Sequence, residues 1–483
     1  MMTRSIARVA AACLMATGLA VPAGAQAASM PVQKIAWGDC TGDAAEDKEI
    51  RCADLSVPVD WHRPRDQRTT VRLAKLPAQN SAQRVGSLLV NLGADGATAE
   101  HLPGKEKEEL AELTQWFDVI AFDARGRGGS DGVTCDTGPA YTALMFSGDK
   151  QTWDRFVRDN RTWEAACRKA AGPLADNLDS WQVAHDMEAI RKALGEGRLT
   201  YYGNSYGTVF GKAYAELFPT KVHRMYLDSV QDHTSRSPMR ALAPMAELAR
   251  DKFERFGQWC ETDSACALHP HNAREVWDQL MAKARRDPLP APDAGQGKTV
   301  GPTQLRLNAF LSVPKASRWP QFAQALAKAR AGNASELHIT PSDVPTGIRV
   351  DGLAWCADFP FSQGWAGMAT IERRLHAIDP RVGRLMAKMS YGRCVGLRHQ
   401  GSFPPHTIAP QGLPPVLLVG GLRDNTTPPA GGRLLAGQLP GATWIDADSD
   451  HAVYLSGNRC VRDIVHRYLR TGDRPASGHV CPA

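Results

Sequence analysis

Hydrophobic and polar positions alternate from Cys52 to Val59 and again from Thr69 to Leu76. That period of two predicts a strand and its hairpin partner. The pattern then changes. Gly86–Leu92 and Phe117–Phe122 are continuous apolar runs, as parallel strands buried on both faces require. Leu199–Tyr202, Val222–Val230, Pro414–Gly421 and Thr443–Ala447 read as further strands, the last of them closing the series. Between them the period is helical. Val183, Met187, Ile190 and Leu194 share one face of a helix predicted from Trp181 to Leu194, with Ser180 as its N-cap and Gly195 at its end. Val209, Phe210, Ala213 and Leu217 mark a second helix, and Ala430–Leu439 a third. From Gln231 to Ala409 the chain is rich in Ala, Arg and Leu, without parallel-strand runs. Helices are expected there around Met239–Phe256, Ala273–Arg286, Gln304–Leu311, Trp319–Ala331 and Ile371–Ala387, broken by the proline-rich Pro288–Pro292. The expectation is an α/β fold with a largely parallel central sheet. Its core would span 28–230 and 410–483, with a helical cap, 231–409, inserted between the two parts.

One stretch gives this frame a chemistry. Tyr202-Gly203-Asn204-Ser205-Tyr206-Gly207 reads G-x-S-x-G between a predicted strand and a predicted helix. Strand, sharp turn and helix make the nucleophile elbow of α/β-hydrolases, in which the serine is strained and exposed above the sheet. A β-carbon at Gly203 or Gly207 would collide as strand and helix close on each other. Serine needs a base and a group to orient that base. The fold orders them Ser, Asp, His along the chain. Asp424 lies just past the 414–421 strand, and His451 follows the last strand, so Ser205, Asp424 and His451 are the candidate triad. Asp228, at the end of another strand, and Asp446, Asp448 and Asp450, beside the histidine, are alternative acids. The loop after the 86–92 strand, Gly93-Ala94-Asp95-Gly96, would supply one oxyanion-hole amide from Ala94, and Tyr206 the other. Asp123 and Arg125, in the turn after the 117–122 strand, read as loop braces.

Composition narrows the setting. Arg4 and Arg8, the apolar Val9–Val21 and Ala25-Gln26-Ala27 form a signal peptide over 1–27, cleaved near Ala27, so the protein is expected to be secreted with no membrane span remaining. The formal charge is +6 over 483 residues, two of the positive charges lying in that leader, and a nucleic-acid partner is not expected. Cys13 also falls in the leader. The remaining ten of eleven cysteines suggest disulfides in an exported chain. Sequence does not fix their pairing; neighbours suggest Cys40–Cys52, Cys135–Cys167, Cys260–Cys266, Cys356–Cys394 and Cys460–Cys481. No metal-ligand spacing, phosphate loop or dinucleotide fingerprint occurs, and no metal or other cofactor is expected.

The combination resembles the secreted bacterial tripeptidyl aminopeptidase family, a branch of the serine α/β-hydrolases with prolyl aminopeptidase relatives. The resemblance rests on Cys52–Asp60, Phe122-Asp123-Ala124-Arg125-Gly126, Ser180–Leu194, Gly203–Thr208 and Leu227-Asp228. It extends through Trp259-Cys260, Cys266-Ala267-Leu268, Cys356-Ala357-Asp358, Asp424-x-x-Thr427-Pro428, His451 and Cys460-Val461…Cys481. Two departures stand out. The family's oxyanion loop usually reads N-P-G-G-P-G, whereas this chain has Asn91-Leu92-Gly93-Ala94-Asp95-Gly96; and Asp450 precedes the histidine where a small residue is usual.

The resemblance implies an exported serine exopeptidase, expected as a monomer. It would release short peptides, tripeptides by the family pattern, from peptide or protein N-termini through an acyl-enzyme. A carboxylate must then hold the substrate's α-ammonium; Asp95, Asp351 and Asp358 are candidates. A carboxylesterase or amidase acting on small molecules would use the same triad. A non-catalytic binding protein on the same fold is the third reading.

Overall fold

The alternating segments and the apolar runs assemble into one ten-stranded sheet. The computed structural model describes residues 33–41, 45–94, 96–130, 135, 137–340, 343–344, 350–398 and 403–483, with side chains except at 147, 350 and 351. The expected leader, 1–27, lies outside these residues. In chain order come β1 (Gly38–Asp39), β2 (Arg51–Pro58), β3 (Arg68–Leu76) and β4 (Gly86–Asn91). Two short helices follow, α1 (Thr98–His101) and α2 (Lys107–Leu110), then β5 (Phe117–Phe122). Next are helices α3 (Thr142–Ser147), α4 (Lys150–Ala171) and α5 (Ser180–Ala193), strand β6 (Leu199–Asn204), helix α6 (Gly207–Leu217) and strand β7 (Val222–Asp228). The insertion carries α7 (Pro238–Thr262), α8 (Ala273–Arg286), a small hairpin of β8 (Leu289–Pro290) and β9 (Thr299–Val300), α9 (Pro302–Ser312), α10 (Trp319–Arg330), α11 (Val350–Asp358), α12 (Trp365–Ile378) and α13 (Gly383–Tyr391). The sheet resumes with β10 (Leu417–Gly421), α14 (Pro429–Ala436), β11 (Thr443–Ala447), α15 (Arg459–Thr471) and β12 (His479–Cys481).

The strand order is β1-β2-β3-β5-β4-β6-β7-β10-β11-β12. The first strands pair antiparallel, β1 with β2, β2 with β3 and β3 with β5. From β5 onward every pairing is parallel. The exchange of β4 and β5, followed by parallel strands in order, is the α/β-hydrolase fold. Residues of the parallel strands divide by period two between two cores. Leu89, Ile120, Tyr201 and Leu227 face α5 and α6 residues such as Val183 and Val209. Leu88, Val119, Tyr202 and Ile445 face Val461, Val465 and Leu469 of α15.

Several expectations change in detail. Asp179, not Ser180, caps α5, its carboxylate accepting the amides of Trp181 and Gln182. The helix expected over Ile371–Ala387 is two helices. Pro380 cannot continue the first, and the amides of Arg381 and Gly383 turn onto Asp379. A β-carbon on Gly383 would stand 2.3 Å from the carbonyl oxygen of Leu375, so a glycine lets α13 fold back on α12. β11 is not the last strand, since β12 pairs beside it. Helices α3 and α4, unanticipated, pack toward the insertion. Trp153 meets Trp365 at 5.8 Å, Asn160 donates to the Val395 carbonyl at 2.7 Å, and Glu164 accepts the Arg398 amide at 2.8 Å. The inserted helices and the sheet belong to one unit, Gln33–Ala483. All five neighbouring cysteine pairs stand at bonding distance, with S–S separations of 1.96–2.12 Å.

Candidate active site

Strand β6 is buried along its whole length and ends at Asn204. The chain reverses at Ser205, whose φ of +53° is the left-handed region a side chain rarely adopts. Gly203 is needed because a β-carbon there would lie 2.7 Å from the Gly207 carbonyl oxygen. The constraint at Gly207 differs from that expected: its β-carbon would meet the Asn91 carbonyl oxygen at 2.2 Å, so the elbow helix closes on the end of β4. The loop after β4 therefore lies against the elbow. Gly93 has φ +81°, and a β-carbon on it would come within 2.8 Å of the Tyr206 amide nitrogen. Asn204 Nδ2 donates to the Leu92 carbonyl at 3.0 Å, and Gly93 N to Asn91 Oδ1 at 3.1 Å. Ala94 holds φ +51°, a strained geometry for a residue with a β-carbon. No side chain caps the first turn of α6, and amides at a helix N-terminus attract negative charge. Asp95 lies outside the described residues.

Asp424 follows β10 and is fully buried. The amides of Thr426 and Thr427 donate to its Oδ1 at 2.9 Å, and the Thr427 hydroxyl donates to Oδ2 at 2.6 Å. His451 Nδ1 stands 2.8 Å from the same Oδ2. Nδ1–H donating to this carboxylate leaves Nε2 as the acceptor of the ring. Burial pushes Asp424 up, but the bonds from His451 and Thr427 outweigh it and hold the carboxyl below its ordinary range. Burial likewise pushes the His451 imidazole down, and Asp424 reverses this, leaving it above its ordinary value.

Asp228 does what the sequence did not reveal. Its carbonyl accepts the Ser205 amide at 3.0 Å. Its buried carboxylate accepts the amides of Val453 at 3.2 Å and Tyr454 at 2.8 Å. Ser229 Oγ accepts the amide of Ala452 at 2.8 Å. One dipeptide thus fastens both the elbow and the segment just after His451. The other alternative acids are engaged elsewhere. Asp446 pairs with Arg433 at 2.6 Å, Asp448 with Arg423, and Asp450 with Lys252 at 2.8 Å.

The candidate amine-holding residues separate. Asp351 is on α11, its side chain outside the description. Asp358 ends α11 and differs from the expectation. It is fully buried, its Oδ1 accepting the Ser180 amide at 2.8 Å and its Oδ2 the hydroxyls of Ser180 and Tyr206. Burial, then Asp179, push it up to about 7 against those donors. It is a brace between the insertion and the elbow rather than a site for a substrate ammonium. The Arg127 guanidinium lies over the Tyr206 ring, 4.9 Å from its centroid. Asp123 and Arg125 are braces as expected. Asp123 accepts the amides of Ala99, Glu100 and Gly129. Arg125 pairs with Asp186 at 2.6 Å in the core and donates to the carbonyls of Val59 and Asn177. Among the described residues one group has metal-ligand proximity, Cys460, His479 and Cys481, but its two sulfurs are joined in a disulfide.

Fold and elbow define a serine hydrolase, and relatives agree. The family described as TAP-like protein matches residues 379–481. The chain is 28% identical over 478 residues to tripeptidyl aminopeptidase of Streptomyces coelicolor, covering 92% of this chain and 86% of that protein. It is 26% identical over 484 residues to serine protease Hip1 of Mycobacterium tuberculosis, covering 93% and 91%. It is 28% identical over 472 residues to carboxylesterase B of the same organism, covering 92% and 89%. These similarities support a serine hydrolase of peptidase type, related to the TAP-like proteins. Among the described residues no helix is long and apolar enough to cross a membrane.

Proposed function

We propose that the protein is an exported serine aminopeptidase that releases short peptides, tripeptides by the pattern of its relatives, from peptide or protein N-termini. The observation that carries this reading is the buried Asp424–His451 pair, 2.8 Å apart, on a loop that Asp228 and Ser229 tie to the strained Ser205 elbow. Ser205 attacks the scissile carbonyl while His451 takes its proton, and Asp424 holds the ring with Nδ1–H inward. The amides of Ala94 and Tyr206 stabilise the oxyanion; loss of one such donor typically costs about 10²–10³ in rate. His451 then protonates the departing amine, and water releases the peptide from Ser205. Helices α7–α13 act as a cap that limits access to chain ends. Asp95 and Asp351 remain the candidates for the substrate ammonium. Export is supported by the leader-like N-terminus and by five cysteine pairs at bonding distance.

Hydrolysis of a tripeptidyl chromogenic amide, with a free and with an acetylated N-terminus, tests the reading. Cleavage of the free form alone, lost in Ser205→Ala, is the expected result. The similarity to a carboxylesterase supports a second reading. Ser205-dependent turnover of short acyl esters without cleavage of either peptide would replace the first with it.

A further inference from the structure

The carboxylate beside the candidate histidine has a partner on the insertion. Asp450 immediately precedes His451, and its side chain is half exposed. Lys252, on α7, is only 7% exposed. Its Nζ lies 2.8 Å from Asp450 Oδ1 and donates to the Pro314 carbonyl at 3.1 Å. Lysine is rarely buried without such partners. The backbone between is close-fitted: a β-carbon on Gly421 would stand 2.3 Å from the Asp450 carbonyl oxygen. The loop bearing His451 is therefore gripped from the sheet by Gly421, Asp228 and Ser229, and from the insertion by Lys252.

We propose that Lys252 is a positioning residue for His451: by pairing with Asp450 it keeps a third carboxylate from competing with Asp424 for the imidazole and from over-stabilising the imidazolium. This rests on the reading of His451 as the base. Two carboxylates already act on the ring, both favouring its charged form. Asp424 bonds Nδ1 directly, and Asp228 is buried behind the amides of Val453 and Tyr454. Beside them the neutral Thr427 hydroxyl stands 3.0 Å from Nδ1, and the Lys252–Asp450 pair adjoins the histidine. An unneutralised Asp450 would favour the charged ring, and an unneutralised Lys252 would disfavour it. A base works when its neutral form is populated at the operating pH, so each charge of the pair needs the other.

The test is the pH dependence of fluorophosphonate labelling of Ser205, which requires neutral His451. Lys252→Met should move the acid limb upward by about half a pH unit, a roughly threefold lower rate below the midpoint. Asp450→Asn should move it downward by about as much, and the double variant should return it to the wild-type position. Lys252→Arg, which keeps the charge, should leave the limb in place. Single variants that lose rate equally at every pH, or that keep the wild-type limb, would reduce the pair to a tether and overturn the proposal. Wild-type protein without labelling, or without an acid limb, would instead overturn the reading of the triad on which it rests.

Discussion

Asp228 and Asp424 occupy equivalent places and do opposite things. Each stands at or just past the carboxyl end of one of two adjacent parallel strands, and both are fully buried. Asp424 directs one oxygen to two amides and shares the other between Thr427 and the His451 ring. Asp228 directs both oxygens to the main chain beyond that same histidine. Their proton affinities diverge accordingly. Burial pushes both up; an imidazole that can become charged brings Asp424 below its ordinary range, whereas amide donors leave Asp228 above it. Residue type and strand position therefore do not single out the candidate acid. The partner does, and it comes from a loop that only the folded chain brings near.

The comparison can be broken by substitution. Asp424→Asn should have the largest effect, about 10⁴ in kcat, because the amide favours the wrong imidazole tautomer. Equal losses from Asp424→Asn and Asp228→Asn would abolish the distinction. Asp228→Asn should cost less. Its amide nitrogen cannot accept from Tyr454 or Val453, and one buried donor left unmatched costs about 1–3 kcal/mol, which moves the histidine loop and lowers activity about tenfold to a hundredfold. The fall should appear in kcat and in thermal stability together, whereas Asp424→Asn should leave the melting temperature nearly in place. The smallest effect concerns Asp358. Its carboxyl is pushed up to about 7 from 3.8, so the native state holds a proton that the unfolded chain has released. The stability it contributes is full below the ordinary carboxylate range and is lost as pH rises through about 7. Asp358→Asn should flatten that part of the melting-temperature profile and change kcat little; an unaltered slope would contradict the assignment.

Much of this site was legible in the sequence because its signals are local. Continuous apolar runs marked β4 and β5, and the elbow motif sat between a strand and a helix. Asp424 and His451 were candidates from their places just past the 414–421 and 443–447 strands, and the fold brings them to 2.8 Å. What escaped depends on distant partners or on interrupted patterns. The apolar period through Ile371, Leu375, Val382 and Leu385 continues across Pro380, which hid the break between α12 and α13. β12 has three residues and little apolar character, and only its place beside β11 makes it a strand. Asp358 read as a candidate for the substrate ammonium until Ser180 and Tyr206 were folded against it. Asp450 stood out as an unusual charge, but nothing near it in sequence names Lys252, which α7 brings to it.

The most direct test of the central claim is the site of covalent modification by a fluorophosphonate, mapped by mass spectrometry on the purified protein. The account predicts a single adduct on Ser205, absent in Ser205→Ala and formed far more slowly in His451→Ala. An adduct on another residue, or an unchanged rate without His451, would contradict it.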